Sequence, residues 1–121
     1  ELYEFGKIIN QTIEEENIDA VVVASGDLSH RLKPGAPAGY DENAEEFDKE
    51  FVRLIDENQL AQIKDMDKGL IHRAGECGHR PMVILSGILS EHKLQTDLKS
   101  YEGPFGVGYA VASFKILAGG N

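Results

Sequence analysis

Ala20-Val21-Val22-Val23-Ala24 runs straight into Ser25-Gly26-Asp27-Leu28-Ser29-His30. The first five residues are short, apolar and centred on β-branched valines, which predicts a strand buried on both faces. The six that follow are polar and turn-prone. Upstream, Leu2, Phe5, Ile8, Ile9 and Ile13 fall at helical spacing, so Glu1 to about Asn17 reads as an amphipathic helix that Asn17 helps to stop. Helix, buried strand and polar loop in that order is the rhythm of an α/β fold. In such folds the loop at the carboxyl end of a strand is where chemistry sits.

Working outward, Arg31 to Gly39 holds Pro34, Gly35, Pro37 and Gly39 and reads as an ordered loop. A helix is expected to start near Asn43, where Asn43 and Glu46 have capping-box spacing, with Ala44, Phe47, Phe51, Leu54 and Ile55 as its buried stripe. Leu60, Ile63 and Met66 suggest one more short helix, and Asp67 can cap a small turn through His72. Gly75-Glu76-Cys77-Gly78 is a tight loop before Pro81, which suits the first turn of a helix. Met82 to Leu89 is apolar nearly all round, so that helix is expected to be central. Leu94, Thr96, Leu98 and Ser100 alternate with Gln95, Asp97 and Lys99, predicting a strand exposed on one side. A second strand is expected over Val107 to Leu117, pairing with the first as a hairpin.

Composition narrows the function classes. The chain has 121 residues, one domain's worth or a piece of one. With 41% hydrophobic residues it can bury a core. Twelve basic against 21 acidic side chains leave a net charge of −9, which argues against general nucleic-acid binding. No apolar run approaches the ~20 residues needed to cross a bilayer, so no membrane partner is expected. The single cysteine, Cys77, cannot form an internal disulfide and fits a reducing cytoplasm. Because Glu1 stands where Met would, we expect a fragment or processed product.

Four histidines are present and they differ in context. His30 shares its loop with Ser25, Asp27 and Ser29, where an imidazole either titrates against a ligand or merely caps the loop. His72 and His92 occupy ordinary helix-end or loop positions, and His79 adjoins the Glu76-Cys77 loop. Glu76 and Cys77 lie between two glycines directly before a helix, where its dipole and free amides favour an anion. Either can ligate a metal, the carboxylate suiting iron and the thiolate zinc or copper; the alternative is a capping Glu beside a small Cys. Gly103, Gly106 and Gly108 lead into a strand, the wrong context for a phosphate loop. Asp27, Ser29 and His30 do not make a triad, whose members converge from separate segments.

Three stretches taken together resemble a known family: Ala24-Ser25-Gly26-Asp27-Leu28-Ser29-His30-Arg31-Leu32, Gly75-Glu76-Cys77-Gly78-His79-Arg80-Pro81 and Ser100-Tyr101-Glu102-Gly103-Pro104-Phe105-Gly106-Val107-Gly108-Tyr109. Their order and spacing are similar to the C-terminal half of the LigB superfamily, the catalytic subunits of class III extradiol ring-cleaving dioxygenases. Within it they look most like the branch that includes AmmeMemoRadiSam system protein A and the Memo proteins. The resemblance covers residues 1–121 and implies an α/β domain with a mixed β-sheet and helices on both faces. It further implies Fe(II), or another divalent metal, acting on a small aromatic diol and O2. By resemblance His30 is the acid–base residue and Asp27 orients it. Glu76 is the carboxylate ligand, or Cys77 in its place as in Memo-like relatives, and Tyr101 and Phe105 line the substrate pocket. The family's two histidine ligands belong to its N-terminal half, so this chain alone is expected to be inactive. It is expected to self-associate or to pair with that half. A Memo-like metal-binding or scaffold module is the alternative function, and a metal hydrolase a third.

Overall fold

A computed structural model describes residues 1–118. The order of elements is α1 (Leu2–Glu15), α2 (Ala44–Asp56), a 3-10 helix (Leu60–Asp65), α3 (Lys68–Ala74), α4 (His79–Ile88), β1 (Leu94–Glu102) and β2 (Tyr109–Ile116). The chain is thus α/β. Among the described residues the sheet has two strands, β1 and β2, paired antiparallel.

Local chemistry explains most boundaries. α1 ends in a Schellman motif: Asn17 takes a positive φ of 51°, and the Ile18 amide donates to the Ile13 carbonyl at 3.1 Å. The Asp67 side chain caps α3 by accepting from the Leu70 amide at 2.9 Å. The capping box expected at α2 does not form. Asn43 caps nothing with its side chain, and its own amide instead donates to Asp41 Oδ1 at 2.8 Å, so the preceding turn takes over that role.

The core gathers Phe47, Phe51, Leu54 and Ile55 of α2, Leu60 and Ile63 of the 3-10 helix, and Met82, Val83 and Leu85 of α4. Phe47 and Phe51 sit one helical turn apart with ring centroids 5.6 Å from each other. α4 is central, as its all-round apolar character predicts.

α1 meets α4 differently from its apolar pattern. Its buried residues are Gly6 and Asn10, whereas Leu2, Phe5 and Ile8 are exposed. Gly6 lies against Gly87, which lets the two backbones touch. A Cβ added at Gly87 would stand 2.1 Å from the Tyr3 carbonyl oxygen, and one at Gly6 would stand 2.1 Å from that of Ile84. Such contacts cannot be relieved by turning a side chain. Gly87→Ala is therefore expected to lower stability by about 2 kcal/mol through forced separation of the helices, measured by urea denaturation.

The strand expected at Ala20 to Ala24 is not formed among the described residues. The segment has no regular secondary structure, and Val21 and Val23 are 93% and 81% exposed. A β-strand requires a hydrogen-bonded neighbour, and no backbone hydrogen bond joins residues 19–24 to any described residue. The expectation of an internal first strand in a mixed sheet is corrected accordingly: the pairing present is the antiparallel β1–β2 hairpin.

That hairpin carries a bulge. Leu98 pairs with Ala112, yet Ser100 pairs with Val111, leaving Lys99 as the extra residue. One added residue reverses the alternation. Beyond it Tyr101, opposite Ala110, takes the inward position that simple alternation assigns to Ser100.

Candidate functional site

Three loops meet at one place. The first, Gly26 to Leu32, follows the exposed apolar segment. The second, Gly75 to Gly78, joins α3 to α4, with Gly75 in the left-handed conformation that ends α3. The third, Gly103 to Gly108, is the β1–β2 turn. Backbone hydrogen bonds lace them together. The Leu28 amide donates to the Gly108 carbonyl at 2.9 Å and the Gly108 amide to the Ser29 carbonyl at 2.8 Å. The Leu32 amide donates to the Gly106 carbonyl at 3.0 Å, the His30 amide to the Ala74 carbonyl at 3.0 Å and the Cys77 amide to the Asp27 carbonyl at 3.2 Å. Lys33 Nζ adds a bond to the Pro104 carbonyl at 2.8 Å. The three stretches quoted from the sequence thus build one site, although they are far apart along the chain.

At its centre, one ligand atom each from Asp27, His30 and Cys77 lie within 4.8 Å of one another. The ring of His30 is oriented by a hydrogen bond from Nδ1 to the Gly75 carbonyl. A carbonyl oxygen only accepts, so in the neutral ring Nδ1 carries the proton and Nε2 keeps its lone pair. Nε2 is 3.7 Å from Asp27 Oδ2. The Asp27 amide donates to Cys77 Sγ at 3.0 Å, which holds the sulfur facing the same space. The thiol is free and exposed.

The other sequence-derived candidates are placed differently. Glu76 accepts from the His79 amide at 2.7 Å, in the first turn of α4, and does not join the three-residue group. Phe105 is exposed at the turn of the hairpin. Tyr101 directs its hydroxyl to Asp48. His79 Nε2 bonds the Ile63 carbonyl at 2.7 Å, and His92 Nε2 bonds Asn10 Oδ1 at 2.8 Å. Neither imidazole is brought to the site.

Asp48 was not among the candidates, yet it anchors the His30 loop. It is fully buried. Its Oδ1 accepts from the Ser29 amide at 2.9 Å, and its Oδ2 accepts from the Tyr101 hydroxyl. Ser29, also fully buried, donates through Oγ to the Ala74 carbonyl at 2.8 Å and accepts from the Arg31 amide at 2.9 Å. This network ties α2, β1 and the end of α3 to the residue preceding His30. Burial raises the Asp48 carboxyl above its ordinary value, against the opposing effect of its bonds to Tyr101 and Ser29. Burial and the neighbouring carboxylate likewise push the Tyr101 phenol up. The available signal was a charge on an apolar stripe: Asp48 lies four residues after Ala44 and three before Phe51. Gly108 completes the packing, since a Cβ there would lie 2.0 Å from Asp48 Oδ2.

An α/β chain that gathers a carboxylate, an imidazole and a thiol at converging loops has the donor set of a protein able to hold a divalent metal. Comparison with known proteins makes the class specific. The family described as the catalytic LigB subunit of aromatic ring-opening dioxygenase matches residues 1–112, and the chain belongs to that family. The protein CA_C1420 of Clostridium acetobutylicum is 44% identical over 118 residues, covering 98% of this chain and 25% of that relative. The chain therefore spans about a quarter of the length of the curated relative it matches. Among the described residues no helix is long and apolar enough to cross a membrane.

Proposed function

We propose that the chain supplies one side of a metal-dependent centre of the extradiol ring-cleaving type, acting on a vicinal aromatic diol and O2. The observation that carries this reading is the convergence of Asp27, His30 and Cys77 in a chain of the LigB family. A set of nitrogen, oxygen and sulfur donors fits a divalent ion of intermediate softness. Cys77 would hold it on this side. Fe(II) in a set of two histidines and a carboxylate needs imidazoles from outside the described residues, where His30 alone reaches the group. When bound, the metal would supply the electron-transfer path between diol and O2.

The chain's own residues would do the proton work. In the neutral ring, whose Nδ1–H donates to the Gly75 carbonyl, His30 Nε2 takes a proton from a diol hydroxyl and returns it as the ring opens. Asp27 beside it stabilises the imidazolium that forms. The Asp48–Ser29 bond holds the loop in register for that transfer.

The test uses the full-length protein, prepared anaerobically, with metal analysis and oxygen uptake on catechols. Bound iron with oxygen uptake matched by ring-opened product is the expected result. Zinc or copper with no uptake would instead select a Memo-like metal-binding or scaffold role, the reading favoured by a thiol rather than Glu76 in the cluster. Cys77→Ser is expected to weaken metal binding at least about tenfold, whereas Glu76→Gln, which still accepts from the His79 amide, leaves it nearly unchanged. Competition titration against a chromogenic chelator measures both.

A further inference from the structure

Arg31 follows His30 directly, and its side chain turns to backbone rather than to an acid. The chain carries 21 acidic side chains, yet among the described residues none forms an ion pair with Arg31. Its Nε donates to the Ala38 carbonyl at 3.1 Å and its Nη1 to the Arg73 carbonyl at 3.2 Å. The same guanidinium packs over Gly75, where an added Cβ would stand 2.8 Å from Nε and 3.3 Å from Cζ.

These contacts complete a pattern at the carboxyl end of α3. Three successive carbonyls there accept from three successive residues of the first loop. Arg73 takes Arg31 Nη1, Ala74 takes the His30 amide and the Ser29 hydroxyl, and Gly75 takes His30 Nδ1. The last carbonyls of a helix have no partner within it and carry the negative end of its dipole, so a cation and its donors suit them. α3 has only seven residues and ends on a left-handed glycine. Without a Cβ, local sterics do little to aim the Gly75 carbonyl. The bonds and packing of Arg31 supply that constraint from outside the helix. A guanidinium suits the task better than an ammonium, because its donors are fixed relative to one another and bridge two carbonyls at once.

We propose that Arg31 is a positioning residue: by clamping the end of α3 it holds the Gly75 carbonyl on His30 Nδ1 and so sets which ring nitrogen of His30 is free to act. The tautomer of an imidazole follows the hydrogen bond that one of its nitrogens makes. With the Gly75 carbonyl in place the proton stays on Nδ1, and Nε2, 3.7 Å from Asp27 Oδ2, keeps its lone pair. Once that carbonyl swings away, the neutral ring moves toward the Nε2–H form that free histidine favours. The effect of Arg31 on turnover rests on the proton role given to His30 above; its effect on the tautomer does not.

The test is NMR of the metal-free, full-length protein labelled with 15N at histidine, at about pH 8.5, above the ordinary imidazole range. Signals absent from His30→Gln identify the His30 nitrogens. The parent is expected to carry its proton on Nδ1. In Arg31→Ala the ratio of Nε2–H to Nδ1–H is expected to rise about five- to tenfold, the worth of one hydrogen bond. Arg31→Lys keeps the charge but not the fork; it should move the ratio the same way by less, and it serves if the alanine variant fails to fold. Gly87→Ala, which loosens the contact between α1 and α4 instead, is expected to leave the ratio as in the parent. A parent ring protonated on Nε2, or the parent ratio retained in the Arg31 variants, overturns the proposal. So does an equal shift in Gly87→Ala, which would make Arg31 one more stabilising contact. Oxygen uptake by the metal-loaded protein is a second readout, in which Arg31→Ala lowers kcat with KM nearly unchanged. A rise in KM at constant kcat would put Arg31 on the substrate and overturn its role through His30. If the parent shows no uptake, the ring-cleavage reading fails while the tautomer ratio still decides the role of Arg31.

Discussion

Asp48→Ala is expected to lower stability by about 3 kcal/mol, the combined effect of an unsatisfied Ser29 amide and a cavity beneath the His30 loop. Asp48→Asn is expected to stay within about 1 kcal/mol of the parent at neutral pH. The amide oxygen still accepts from Ser29, and the Tyr101 hydroxyl can turn to accept from the new NH2 group. The two variants also differ from the parent in pH dependence. Burial raises the Asp48 carboxyl in the folded protein above the ordinary 3.8. Between those two values the folded state binds more protons than the unfolded state, so this group's contribution to stability falls as pH rises. Above the folded value the cost of the buried charge is fully present; below 3.8 it vanishes. The stability of the parent relative to Asp48→Asn should therefore decline as pH rises through that window, opposite in sign to a carboxylate held by an ion pair. Urea midpoints measured at intervals from about pH 4 to pH 7 check this. A flat difference would mean that the carboxyl titrates alike in both states.

His30→Gln is expected to reduce ring-opening turnover of the metal-loaded full-length protein by about 10²- to 10⁴-fold. The side-chain amide of Gln can still donate to the Gly75 carbonyl, so the loop keeps its support while the basic nitrogen is lost. Metal content and the thermal midpoint should change little. Wild-type turnover in this variant would remove His30 from the proton transfer. A variant that lost metal along with turnover would move His30 from base to ligand, a role its position beside Asp27 and Cys77 makes chemically reasonable.

The site and its supports were legible to different degrees. Motif order exposed the three loops, because the residues that meet there are polar or small and sit where elements end. The orientations of Glu76 and Cys77 required the fold. Both precede α4, and only coordinates show that the carboxylate turns to the His79 amide while the sulfur turns to Asp27. Asp48 was hidden because its partners, Ser29 and Tyr101, are 19 and 53 residues away along the chain. Tyr101 reaches it only because a bulge at Lys99 reverses the strand's alternation, and a residue count alone does not reveal a bulge.

By itself the amino-acid order determined the elements whose stabilising contacts are local. The left-handed Asn17 stop, the Asp67 cap, the apolar stripe of α2 and the all-apolar α4 all follow from neighbours within a few residues. Tertiary structure decided whatever depended on a distant partner: the glycine contact that turns the apolar side of α1 outward, the reach of Tyr101 to Asp48, and the exposure of Val21 to Val23. The physical reason is the same in each case. A helix satisfies its own backbone, whereas a strand's stability and a buried charge's tolerance belong to the group on the other side of the contact.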